Sequence, residues 1–279
     1  MSTITPELTL VRPRPARNPL APLATLARRR FQLTARTPRE LAVPLITPIL
    51  FALVIAPALK QALHTGSAYE SFVATGTIGL LIPLNTLFSG LSVIVDRESG
   101  AHRELLAAPI PRPLLVLGNL VVAFAITALQ IAVLIGVAVA RGIHFHVSGA
   151  GAAWFLGAGA LFTVGMYGVA ETLVSRIPKA EEYIARVPAI GIVPWFLAGA
   201  LFPIKALPVF MTWVARFLPL THALALVRYG LLDDQGALQN IWGMGSAPAM
   251  AALSLAVVGL FAAVLTVVSV RVFTRSAVS

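Results

Sequence analysis

The stretch Asp96-Arg97-Glu98-Ser99-Gly100-Ala101-His102-Arg103-Glu104-Leu105-Leu106-Ala107-Ala108-Pro109-Ile110-Pro111-Arg112 separates two long apolar runs. Asp96, Arg97, Glu98, Arg103 and Glu104 would each be penalised by several kcal/mol in hydrocarbon. The segment is therefore a compact polar insertion between membrane spans. Leu105 and Leu106 give it a helix-like apolar face, and Pro109, Pro111 and Pro113 punctuate its exit. A small ordered element held at one surface of a membrane protein is a place to touch another protein.

The flanking composition supports that reading. Of 279 residues, 58% are hydrophobic and 11% charged, against roughly 45–50% and about 25% in soluble domains. A mean hydropathy of +0.86 belongs to an all-α integral membrane protein. With no cysteine, disulfides, thiol nucleophiles and cysteine metal sites are excluded. The net charge of +10 points to anionic headgroups and the positive-inside bias rather than to nucleic acid. Residues 1–22, rich in proline, read as a disordered tail with no apolar core of a signal peptide. Residues 23–40 mix Leu23, Leu26, Phe31 and Leu33 with Arg28, Arg29 and Arg30, the pattern of an amphipathic interfacial helix.

Six stretches have the roughly 20 apolar residues that a crossing needs: Leu41–Leu59, Phe72–Val95, Leu114–Ala140, Ala150–Val174, Ile184–Phe202 and Ala247–Val270. They form a six-span transmembrane domain over 41–271, followed by a tail at 272–279. Sixteen of the 21 Lys and Arg fall on the tail to Glu40, the 96–113 loop, the loop Ser175–Arg186 and the end from Arg271. That asymmetry places these segments, and both termini, in the cytoplasm.

Residues 203–232 are apolar but broken by Pro203, Lys205, Pro208, Arg216, Pro219, His222 and Arg228. Each half is too short to cross, so the expectation is a pair of half-helices dipping in from the external face and wrapped in protein. Trp213 and Tyr229 would sit at headgroup level.

These residues resemble a known family. Asp96, Arg97, Glu98, Gly100, Glu104, Leu105, Leu106, Pro109 and Arg112 are similar to the first cytoplasmic loop of the type-two ABC exporter permeases. Phe202-Pro203, Leu207-Pro208, Pro219-Leu220-Thr221-His222-Ala223 and Leu226-Val227-Arg228 resemble that family's external re-entrant hairpin. The nearest likeness is to the daunorubicin-resistance-type permeases, although Gly100-Ala101-His102-Arg103-Glu104 departs from their usual spacing. The resemblance implies a non-enzymatic permease subunit in a bacterial plasma (inner) membrane, working as two permeases with two copies of a soluble ABC ATPase. It implies that no cofactor binds this chain directly and that ATP and Mg sit on the partner. It implies ATPase coupling through Glu98, Gly100, Glu104, Leu105, Leu106, Pro109 and Arg112. The sequence agrees, because Lys60, Lys179 and Lys205 all lack the context of a Walker phosphate loop.

Each candidate residue also has a plainer reading. Glu98 and Glu104 are either solvated charges or docking groups, and their place on the cytoplasmic insertion favours docking. Asn85, Asn119, Gln130 and Glu171 are the candidates for a substrate path. The three amides equally suit hydrogen bonding between helices, and Glu171 suits solvation or pairing with Arg176. His144 and His146 offer at most two metal ligands where a tight site needs three or four. The leading functional reading is the permease of an ATP-driven exporter of a lipophilic or amphiphilic small molecule or lipid. The alternatives are a secondary transporter or channel needing no ATPase, and an ABC exporter of polysaccharide.

Overall fold

The computed structural model describes residues 24–28, 31–32, 45–100 and 112–276. Nine helices are described from residue 45 onward. They are α1 (Leu45–Ala62), α2 (Ser67–Glu98), α3 (Arg112–Ala140), α4 (Gly149–Val174), α5 (Ala180–Leu197), α6 (Val209–Phe217), α7 (Pro219–Leu232), α8 (Gln235–Trp242) and α9 (Ala247–Ser276). No strand occurs among the described residues. Of the basic lead-in, residues 24–28 and 31–32 are helical, and Leu26 lies beside Gly118 of α3.

Five of these helices, α1, α2, α3, α4 and α9, are long and apolar enough to cross a bilayer. The expected fifth span, Ile184–Phe202, departs from that rule. Its helix begins earlier, at Ala180, and stops at Leu197, so it carries Glu181, Glu182 and Arg186. The chain then turns through Gly199, whose φ of +80° favours a residue without Cβ. The last helix also differs from expectation, because it continues past Val270 to Ser276 where a tail was expected.

Helix α2 is the central post. Its 32 residues reach about 48 Å at 1.5 Å per residue, more than the roughly 30 Å hydrocarbon core. Its polar ends, Glu70 and Asp96–Glu98, can therefore leave the core while Val73, Ile78, Ile82, Leu87 and Ile94 are buried between neighbours. It packs on α3, α4, α5 and α7.

Glycine sets the closest approaches. A Cβ on Gly151 of α4 would meet Gly230 O at 2.6 Å, and one on Gly230 of α7 would meet Gly151 O at 2.5 Å. Further along α4, Gly165 and Gly168 face Phe261, Ala262 and Leu265 of α9. The glycine-rich α4 thus spends its small residues inside this chain, where they let backbones meet.

Prolines shape two other places. Pro57 has no N–H, so it orphans Leu53 O in an α-pattern and Ala52 O in a π-pattern. The chain adopts a π-turn over Phe51–Ile55, and the Arg141 guanidinium donates to both carbonyls, at 2.9 Å and 3.3 Å. Pro219 opens α7 and holds the preceding Leu218 extended (φ −75°, ψ 123°). As a result α6 and α7 meet at an 82° bend.

Candidate functional site

At one end of the bundle, three helix termini are tied together. Arg97, in the last turn of α2, donates through Nη2 to Val174 O at the C-terminus of α4, 3.0 Å away. A cation there also opposes the negative end of the helix dipole. Glu98 Oε1 accepts from Ala180 N, the first residue of α5, at 3.4 Å, where a carboxylate is favoured for the converse reason. Glu98 is thus placed at a helix N-terminus of its own chain. Gly100 has φ +81° with open space around it, a bend that strains any side-chain-bearing residue. Glu104, Leu105, Leu106 and Pro109 lie outside the described residues. Arg112 opens α3.

Glu171 sits close by but is not on the surface. It is 3% exposed and accepts a short hydrogen bond from Tyr167 OH, within electrostatic reach of Arg97 rather than Arg176. Tyr183 OH donates to Leu87 O at 2.7 Å and fastens α5 to α2 alongside. Arg97, part of the charged motif, and Tyr183, which the sequence does not single out, thus organise this end. The legible signal was an arginine at the end of one apolar run and a tyrosine just inside another.

Of the expected path residues, Asn85 meets α3 at Ala123 and Thr127, one turn from Asn119 and Gln130 respectively, and Glu171 stands apart on α4. Asn85 donates to Thr127 Oγ1 and, at 3.0 Å, to Ala123 O, fixing α2 to α3. Gln130 is buried and Asn119 half-buried on α3, whereas Glu171 belongs to the Arg97 cluster on α4. These bonds are of the kind that hold membrane helices together.

The opposite end has its own charged cluster. Glu70, 7% exposed, lies 3.6 Å from Lys60 Nζ and 3.7 Å from Arg141 Nη2. Since Arg141 also caps the π-turn, one arginine joins α1, α2 and the end of α3. Lys60 and Arg141 are two of the five basic residues outside the segments placed in the cytoplasm. The available signal was Glu70, the one acidic residue between the first two apolar runs.

The α6–α7 pair lies at this same end. Pro208 precedes α6 and Pro219 begins α7, while Pro203 precedes a short 3-10 turn at Ile204–Ala206. His222 is fully enclosed. Its Nδ1 lies 3.2 Å from Ser254 Oγ and its Nε2 2.9 Å from Arg216 O, and Trp242 Nε1 donates to the same serine at 2.8 Å. One imidazole thereby links α6, α7, α8 and α9. Arg228 is buried beside α2, its Cζ 3.5 Å above the Phe72 ring. Its Nη2 donates to Ala200 O at 3.0 Å. By contrast α6 shows solvent an apolar face of Val209, Phe210, Trp213 and Phe217, with Trp213 also 5.1 Å from Arg216. The pair has a locked helix, α7, and an uncovered one, α6.

The sequence is also similar to known membrane transport proteins. The profile of the family described as ABC-2 type transporter matches residues 22–232. The transport permease ycf38 of Porphyra purpurea is 25% identical over 214 residues, covering 74% of this chain and 72% of that protein. Nodulation protein J of Rhizobium leguminosarum bv. viciae is 27% identical over 203 residues, covering 70% and 74%.

Proposed function

The chain belongs to the ABC-2 type transporter family, and we propose that it is the permease half of an ATP-driven exporter that moves a lipophilic or amphiphilic compound out of the cytoplasm. It is a multi-pass membrane permease, and its family in general implies an ATPase partner. In the proposed complex two copies of this chain pair with two copies of a soluble ATPase. ATP and Mg are held by the partner, and the pathway runs between the permeases. The exposed apolar face of α6 gives a surface that either lipid or the second copy can cover.

Six spans follow if α5 crosses, and its contacts with α2 support this. Ala180 meets Glu98 at one end of α2, Tyr183 reaches Leu87, Trp195 Nε1 donates to Gly76 O, and Leu201 O accepts from Tyr69 OH at the other end. From Gly76 to Glu98, α2 rises about 33 Å, so α5 and its exit travel the same depth as a crossing helix. The α6–α7 pair is then an external re-entrant hairpin closing the outer end of the pathway, and both termini and the 96–113 loop are cytoplasmic.

The observation that carries the coupling role is the mooring of that loop. Arg97 and Glu98 bind it to the ends of α4 and α5, and Gly100 turns it away from α2. A push on the segment is transmitted to three spans at once. Leu105 and Leu106 fill an apolar groove on the ATPase, and Glu104 orients it. Truncating an apolar anchor in such an interface typically costs about 1–4 kcal/mol. Leu105→Asp should leave insertion in the membrane intact and abolish both co-purification of the ATPase and substrate-stimulated ATP hydrolysis. A variant that keeps its ATPase and exports normally would sink the coupling role.

A further inference from the structure

Beside the outer hairpin, the ends of α2, α7 and α8 enclose a cleft of about 250 Å³, lined among others by Phe72, Thr221, Arg228, Asp234, Ala237 and Asn240. Two of its polar groups are buried and poorly satisfied. Arg228 is 4% exposed, and only its bond to Ala200 O is short; Nε to Thr75 Oγ1 and Nη2 to Phe72 O are 3.4 Å and 3.5 Å. No carboxylate lies within 4 Å of it among the described residues. Asp234 is near enough to interact through space, but its Oδ1 accepts from Gly236 N as the cap of α8. Thr221, 3% exposed, has a hydroxyl with no partner.

A buried guanidinium without a close counter-ion is heavily penalised, and an unpaired buried hydroxyl adds to that penalty. Both groups line the same cleft, so a ligand there could satisfy the guanidinium and the hydroxyl together. The planar fork of arginine matches the oxygens of phosphate or carboxylate. The Phe72 ring covers one guanidinium face, so an incoming anion meets the edge or the other face. The cleft is smaller than the roughly 300–1,000 Å³ of drug-sized pockets, which suits a headgroup and not a whole lipophilic molecule. At the half-buried rim, Asp234 and Asn240 offer acceptors and an amide to hydroxyl or ammonium substituents carried by that group.

We propose that this cleft binds a phosphate or carboxylate group, held by Arg228 and Thr221, at the outer end of the permease. The group is supplied either by a membrane lipid headgroup or by a soluble anion such as the acidic end of a cargo. The external placement rests on the exporter reading above; the binding itself does not.

The chain has no cysteine, so Asn240→Cys provides a single reporter on the cleft. Its labelling by an impermeant maleimide would be timed in the full-length protein in uncharged maltoside micelles. Phosphatidylglycerol, inorganic phosphate, or sodium chloride at matched ionic strength would be added in turn. Labelling should slow with phosphatidylglycerol but not with sodium chloride. Slowing by inorganic phosphate as well assigns a free anion, and slowing by the lipid alone assigns a headgroup. Adding Arg228→Gln should weaken the protecting agent by about tenfold or more, and Thr221→Ala by a smaller factor, in line with charged and neutral hydrogen bonds. Thr221→Ala decides the matter if Arg228→Gln fails to fold. Protection by neither probe, or protection unchanged in the folded variants, overturns the site. Labelling only from the cytoplasmic side of intact cells would defeat the exporter topology and leave the site standing.

Discussion

Gly230→Val tests the closest contact in the bundle. A Cβ there would stand 2.5 Å from Gly151 O and 2.9 Å from both Phe155 N and Phe155 Cβ. Ordinary contact begins at 3.4 Å, so α7 must withdraw from α4 by about 0.9 Å. Two of the three obstructing atoms are backbone, which no rotamer change can move aside. The penalty should therefore fall near the top of the about 1–3 kcal/mol range for overpacking. Removing glycine from a helix interior returns only a few tenths of a kcal/mol when valine replaces it. A net loss of about 2–3 kcal/mol corresponds to a fall in melting temperature of about 5–10 °C, by the scaling for domains of comparable size. The assay is thermal unfolding of the detergent-purified protein followed by size-exclusion chromatography. Gly136→Ala is the control: nothing lies within 4 Å of that site, so it should raise the melting temperature by about 2–4 °C through helix propensity alone. If Gly230→Val melts within about 1 °C of the parent protein, the α4–α7 crossing is not as close as described and the reasoning fails.

Two further outcomes are expected. Arg141→Met removes the donor to Ala52 O and Leu53 O and one of the two cations beside Glu70, and should destabilise by about 2–4 kcal/mol. Pro57→Ala restores an N–H for one of those carbonyls, so in that background the loss should shrink; equal losses in both backgrounds would separate Arg141 from the π-turn. Cysteines placed singly at Met211 and Asp233 should both react with impermeant thiol reagents from outside intact cells, and reaction of Asp233→Cys from the cytoplasm alone would reverse the hairpin's placement.

Hydropathy determined much of the helix layout of this molecule without coordinates. A run of some 20 apolar residues has few options besides a helix, because its backbone polar groups must be satisfied within the segment. Four of the expected spans accordingly lie within α2, α3, α4 and α9, and the proline breaks at Pro208 and Pro219 fall at the starts of α6 and α7. The turn at Gly100 is likewise local, since a positive φ is a property of one residue and glycine is the residue that allows it. Which polar groups meet was not legible in this way, because a partner is fixed by how distant helices pack. Glu171 could have paired with its sequence neighbour Arg176 but points inward to Tyr167 and Arg97. Asn85 had no partner legible in its own segment, and only the packing of α3 set Thr127 beside it. Glu98 was readable as an acid on a polar loop, but only the fold could set the first turn of α5 against it. Arg228 shows the division most clearly: its sequence context marks a basic break in an apolar stretch, and only the convergence of α2, α7 and α8 makes it a buried cation lining a cleft.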